Sequence, residues 1–349
     1  MIGSTTPSIP STSGRDQLPE TPFFVVGNPR SGTTLLRFIL SSHPRIYIPG
    51  ETGFLPFLLK HVQSELSLPQ VRGLLHRIAW LNRGWDDLIE QVPGFYSSLP
   101  APTLRHLIDA LYRRKIAPHG AVRWGDKTPS YVRYIPELSA IFPETQFIHL
   151  IRDGRDVALS AQAKWGDKHW YMDSYYLLKN WARNVKDGRQ AGRQLGPDRY
   201  LEIHYEQLVQ APEDTVRRLC GFLNESFHSA MLQHTRLARQ EIAPDGHVEV
   251  RNPISTASVQ RWRDEMSAFQ CKLANELAGP VLTEAGYEPS ESSPWSTREH
   301  IRLFSLAVKY QAIDSMRHVL PSLGIPTLNR DKRKRGLRAL LRGALSLPW

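Results

Sequence analysis

Phe23-Phe24-Val25-Val26-Gly27-Asn28-Pro29-Arg30-Ser31-Gly32-Thr33-Thr34-Leu35-Leu36 is the stretch on which the fold turns. Its apolar start, bounded by Pro22 and Gly27, suits a strand of a parallel sheet covered on both faces. From Thr33 onward Leu35, Leu36, Ile39 and Leu40 recur at helical spacing. Between strand and helix lies G-x-x-x-x-G-x-T, the frame of a phosphate-binding loop in its required context. Backbone N–H groups and the positive end of the helix make an anion cradle there. Thr33 stands where a nucleotide triphosphatase carries Lys, and the cation is Arg30, inside the loop. That departure disfavours ATP or GTP hydrolysis, as does the lack of a clear apolar strand ending in a Mg²⁺-holding Asp.

Outward from this unit the chain alternates. Tyr47 and Ile48 end a short strand before Pro49-Gly50, and residues 54–115 are mostly helical in pattern. Residues 121–124 read as a strand, 131–141 as a helix, 146–151 as an apolar strand, and 153 to about 164 as a helix. Tyr171, Tyr175, Leu178, Trp181 and Val185 mark a longer amphipathic helix. A strand at 200–204 and a helix at 212–223 follow, then a helical stretch near 299–319. The pattern predicts an α/β fold: a P-loop-type parallel sheet flanked by helices, with a helical C-terminal extension. The expected organisation is a disordered leader (1–21), a main domain (22–290), and a helical extension with a basic amphipathic tail (291–349).

Among 349 residues, the 41% apolar fraction supports a substantial core and excludes a mainly disordered chain. No window approaches eighteen consecutive apolar residues, and residues 1–20 carry no apolar block, so a cytoplasmic protein is expected. Two cysteines, Cys220 and Cys271, support neither a disulfide framework nor a cysteine metal site. The net charge is +10, but seven basic residues against Asp331 alone fall in residues 330–349. The remaining, mildly basic body suits an anionic small molecule rather than nucleic acid. In the tail Leu337, Leu340, Leu341, Ala344 and Leu345 share one helical face, a composition that fits peripheral contact with anionic lipid, a solvated tail or an intersubunit clamp.

Residues 29–36 resemble the 5′-phosphosulfate loop of the sulfotransferases that use 3′-phosphoadenosine 5′-phosphosulfate (PAPS). Ile148-His149-Leu150-Ile151-Arg152-Asp153-Gly154-Arg155-Asp156-Val157-Ala158-Leu159-Ser160 is similar to that family's 3′-phosphate motif. The resemblance implies that Arg152 and Ser160 grip the 3′-phosphate, and that Arg30, Ser31, Gly32, Thr33 and Thr34 hold the 5′-phosphosulfate. Trp124-Gly125-Asp126-Lys127-Thr128-Pro129 and Ile203-His204-Tyr205-Glu206-Gln207-Leu208 are further matches. They imply Lys127 facing the transferring group and Tyr205 near the nucleotide. Ser258 to Arg263 resembles the late R-W element, which brings Arg261 or Trp262 to the nucleotide unless Trp262 is core.

The tyrosylprotein branch carries a catalytic Glu in G-E-E-T; here Gly50 stands at the first Glu and Glu51 matches the second. Glu51 is the expected base, with burial raising its pKa; His43 and His149 are the other candidates. The implied activity is transfer of a sulfuryl group to the hydroxyl of a carbohydrate, glycolipid, small metabolite or peptide tyrosine, without a metal. Alternatives are an ATP-dependent kinase and a catalytically silent nucleotide-binding or membrane-associated scaffold. Trp165, Trp170, Tyr171, Tyr175 and Tyr176 suit either acceptor stacking or helix packing.

Overall fold

The structure is a computed structural model that describes residues 20–59, 65–81, 92–169, 171–242 and 248–322. Residues 1–19 of the leader, Trp170 and the basic tail therefore lie outside the described residues. The chain groups into two compact units interleaved in sequence: Met1–Asp153 with Arg183–Arg261, and Gly154–Ala182 with Trp262–Trp349. Residues 262–290, expected with the main domain, thus group with the C-terminal helix.

The first unit is built on five parallel strands: β1 (Phe23–Gly27), β2 (Ile46–Tyr47), β3 (Arg123–Lys127), β4 (Gln146–Ile151) and β5 (Tyr200–His204). Their order is β2-β3-β1-β4-β5. Every residue of β1 is buried because the sheet has a core on each face. Phe24 and Val26 pack with Trp124, Phe142 and Phe147 on one side, while Phe23 and Val25 pack with Leu36, Ile148 and Ile203 on the other. Phe24 stacks on Phe147, and Trp124 meets it edge-on at 6.0 Å. The apolar run seen in the sequence is this two-sided burial. Chain order reverses at β1, which has β3 on one side and β4 on the other, so the crevice at its carboxyl end is the switch point of the sheet.

Helix α1 (Thr33–Ser41) follows the loop and buries Leu35, Leu36, Ile39 and Leu40. The strand expected at 121–124 lies instead at Arg123–Lys127, because Arg123, Asp126 and Lys127 are buried polar residues that break the apolar pattern. Residues 129–134 form a 3₁₀ turn before the helix Ile135–Ile141; Pro129 and Pro136 set that break.

His149 is a core residue rather than a base. It lies on β4, fully buried, with Nδ1 bonded to the Tyr200 hydroxyl and with Gly188 pressed so close that a Cβ there would lie 2.5 Å from the ring. Burial holds its pKa down to about 4. The unfolded chain takes up that proton near pH 6.5 and the native chain does not, so stability falls as pH drops from 6.5 toward 4. The gap corresponds to roughly 3 kcal/mol at its full extent. Urea unfolding at pH 7.5 and 4.5 should show this loss in the parent and a smaller one in His149→Gln; equal losses would contradict it.

In the second unit Ala158, Ala161, Tyr175, Leu178, Leu273, Tyr310 and Ile313 form a core. Tyr171, Tyr175 and Tyr176 are buried there, the packing alternative for these aromatics. The helix Ala268–Glu284 opens with a Ser267–Gln270 capping box. The helix Thr297–Ser322 is tied to it by the Lys272–Glu299 ion pair at 2.8 Å. Among the described residues no helix is long and apolar enough to cross a membrane.

Candidate active site

Residues at or just after the carboxyl ends of all five strands form the candidate site. The loop after β1 turns on two left-handed residues, Arg30 (φ 75°) and Gly32 (φ 92°), the latter capping α1. This turn aims the amides of the helix N-terminus outward, as an anion site requires. Gly32 is obligatory for a second reason: a Cβ would lie 2.4 Å from the ring of Tyr205, which backs the loop. Asn28 Oδ1 accepts from Asn184 Nδ2, which fixes the loop's entry. The Ser31 hydroxyl is completely buried with no hydrogen-bond partner among the described residues. Such an orphan in an anion loop is what a bound phosphate or sulfate oxygen would satisfy.

Arg152, just past β4, is buried; it donates to the carbonyl of Arg30 at 3.1 Å and to the carbonyl of Ser258, and lies 4.8 Å over the Tyr205 ring. Burial pushes the Arg30 guanidinium down from its usual range, with Glu249 opposing the shift and Arg152 adding to it. Asp153 N–H is held by Glu206, so the β4 and β5 ends are tied together. Ser160 is half-buried on the helix Gly154–Trp165 of the second unit.

On the other side of the loop, Lys127 ends β3 and is 3% exposed. Its Nζ donates to Glu51 Oε1 at 2.5 Å and to Thr34 Oγ1 at 3.3 Å. Burial pushes the Lys127 ammonium down and Glu51 opposes that. The Glu51 side chain is 52% exposed. The Pro49-Gly50 turn carries it off the sheet, and its partner is the buried member of the pair. His43, the remaining candidate base, is structural: its Nδ1 accepts from Arg45 N–H, and Nε2 donates to Ser226 O at 2.9 Å.

Trp262 belongs to the second unit, where Arg155 lies 3.5 Å and Arg263 4.8 Å over its ring and its backbone N–H donates to Asp156 Oδ1. Those contacts are the core alternative of its two sequence readings.

Sequence reasoning missed a buried cluster behind the Lys127–Glu51 pair. Thr52 Oγ1 donates to Asp126 Oδ2 at 2.8 Å, and Tyr112 donates to the same carboxylate oxygen. Tyr131 OH lies 3.0 Å from Thr52 Oγ1 and accepts from Leu55 N–H. Burial pushes the Asp126 carboxyl up and the Tyr112 and Tyr131 phenols up. The signal available was only that Asp126 and Thr52 neighbour the residues of interest.

A parallel sheet whose central strand runs through an anion loop into a helix defines an α/β protein of the P-loop type. The model of the sulfotransferase family matches residues 22–229, and the chain belongs to that family. It is 28% identical over 279 residues to a putative protein-tyrosine sulfotransferase of Caenorhabditis briggsae, covering 78% of this chain and 90% of the relative. It is 26% identical over 284 residues to the protein-tyrosine sulfotransferase of Drosophila melanogaster, covering 78% of this chain but only 52% of that protein. The sulfotransferase domain of the Synechococcus PCC 7002 olefin synthase superposes with TM-score 0.52 at 25% identity, over 75% of this chain and 96% of that one. The domain from the curacin pathway shares the fold, with TM-score 0.53 at 22% identity over 79% of this chain and 100% of that one. The chain is accordingly a sulfotransferase.

Proposed function

We propose that this chain moves a sulfuryl group from PAPS to an acceptor hydroxyl, with Glu51 taking the hydroxyl proton. The observation that carries the reading is the Glu51–Lys127–Thr34 chain of contacts, which sets a carboxylate, a buried cation and the anion loop side by side. Bound PAPS supplies the sulfuryl group and a bisphosphate leaving group. The residues present suit it: Ser31 offers an unsatisfied hydroxyl, Thr33 and Thr34 stand at the positive end of α1, and Arg30 and Arg152 supply fixed positive charge. Arg152 would receive the 3′-phosphate, Tyr205 backs the loop, and no metal is needed.

In the resting pair Glu51 neutralises Lys127. Once Glu51 holds the acceptor's proton, the Lys127 charge is no longer cancelled and stabilises anionic oxygens beside Thr34. Charge placed in advance where it develops is the main catalytic resource of group transfer of this kind. Exposure of Glu51 gives an acceptor oxygen access to it from solvent. Relatives named protein-tyrosine sulfotransferases favour a peptide tyrosine as the first acceptor class to try, ahead of a sugar or small-metabolite hydroxyl.

Calorimetry tests the donor reading. Adenosine 3′,5′-bisphosphate should bind more tightly than ATP, with and without Mg²⁺. Preference for ATP with Mg²⁺ would replace this reading with a kinase.

A further inference from the structure

The backbone around Glu51 is poorly determined by itself. Gly50 precedes it, and Gly53, at φ 65° with open space around its Cβ position, follows Thr52. Glycine on both sides leaves many conformers to the segment, yet the carboxylate sits 2.5 Å from Lys127. Something between the glycines must hold it, and Thr52 is the only buried residue of the four from Gly50 to Gly53.

Thr52 is bound on both sides of Lys127. Its amide donates to the Thr128 hydroxyl at 3.2 Å and its hydroxyl donates to Asp126 at 2.8 Å. The residue after Glu51 is therefore locked to the residues before and after Lys127. Because the Thr52 proton goes to Asp126, Tyr131 donates to Thr52, and its oxygen in turn accepts from Leu55 N–H. Tyr112, stacked on Trp124 at 4.2 Å, donates to the same Asp126 oxygen. Asp126 Oδ2 thus takes two donors, while its buried Oδ1 has no partner among the described residues, and β-branching restricts Thr52 further.

We propose that Thr52 is a positioning residue for sulfuryl transfer: bound to Asp126 and Thr128 and closed in by Tyr112 and Tyr131, it holds the Glu51 carboxylate on the Lys127 ammonium. The proposal rests on the reading of Glu51 and Lys127 as working groups, but the placement it describes is measurable without any acceptor. Thr52 touches neither donor nor acceptor in this scheme and acts through Glu51.

The test is the titration of Lys127 by nitrogen-15 NMR of lysine side chains, its signal assigned by loss in Lys127→Arg. Removing an opposite charge at this distance lowers an ammonium pKa by about one pH unit or more, so Glu51→Gln should lower the Lys127 midpoint by that amount. Thr52→Val, which keeps the shape and removes the hydroxyl, should lower it in the same direction, whereas Thr52→Ser should restore it. In the double variant Glu51→Gln/Thr52→Val the midpoint should equal that of Glu51→Gln alone, since residues acting through one contact do not add. Transfer rates should follow: about tenfold lower kcat in Thr52→Val with donor KM unchanged. An unshifted Lys127 midpoint in folded Thr52→Val, or a Thr52→Ser variant no better than Thr52→Val, would overturn the proposal. Full transfer rate in Glu51→Gln, with the Lys127 shifts as expected, would instead remove Glu51 as the base and leave the tie standing.

Discussion

Glu51→Gln should lower the transfer rate by about 10²–10⁴-fold, the usual worth of a positioned general base, while affinity for adenosine 3′,5′-bisphosphate should change by no more than a few-fold. The glutamine keeps the size and one hydrogen-bond acceptor toward Lys127, so the loop has no steric reason to move. It cannot take the acceptor's proton, and it does not neutralise Lys127. Glu51 reaches the donor loop through Lys127 to Thr34, and its charge is the weakest of the influences on the Arg30 guanidinium, so the loop should change little. Steady-state rates with a tyrosine peptide, together with calorimetry of the bisphosphate, separate the two effects. A variant with full rate refutes the base assignment; one that loses rate and nucleotide affinity equally shows that Glu51 serves the donor site.

Arg152→Ala should weaken binding of adenosine 3′,5′-bisphosphate by about 10–100-fold, the range expected on losing a charge-assisted contact to phosphate. The structure sharpens how that loss must be read. Arg152 also donates to the Arg30 carbonyl and lies over Tyr205, so its removal loosens the anion loop for any ligand. The discriminating quantity is the ratio of affinities for the bisphosphate and for adenosine 5′-monophosphate, measured in parent and variant. A falling ratio identifies a 3′-phosphate contact. Equal losses mean that Arg152 acts only as the support of the loop.

The parts of this fold that were legible in the sequence share a physical cause. β1 and β4 are largely apolar runs, buried by cores on both faces, and the loop to α1 carries Gly32 at one of its left-handed positions. β3 was displaced in the reading because its burial is achieved by pairing rather than by apolarity. Arg123 is satisfied by the Thr21 carbonyl and Gln146, Trp124 by Asp109, and one oxygen of Asp126 by Tyr112 and Thr52. Partners that lie far off in the chain leave no periodicity behind. The same limit governed the site. Lys127, which the resemblance sets facing the transferring group, is nearly sealed, whereas Glu51 stands half in water. His149 had the right residue type for a base, but the apolar run around it already announced a core position.

The ring of Tyr205 fills the space that any side chain at position 32 would need. The P-loop turn and the strand end that supports it are thus one packed object assembled from distant parts of the chain. Neither can be grafted, shortened or diversified by itself. An engineer who transplants the loop into another sheet must bring the aromatic floor along, and a library that varies residue 32 must vary residue 205 in the same clones.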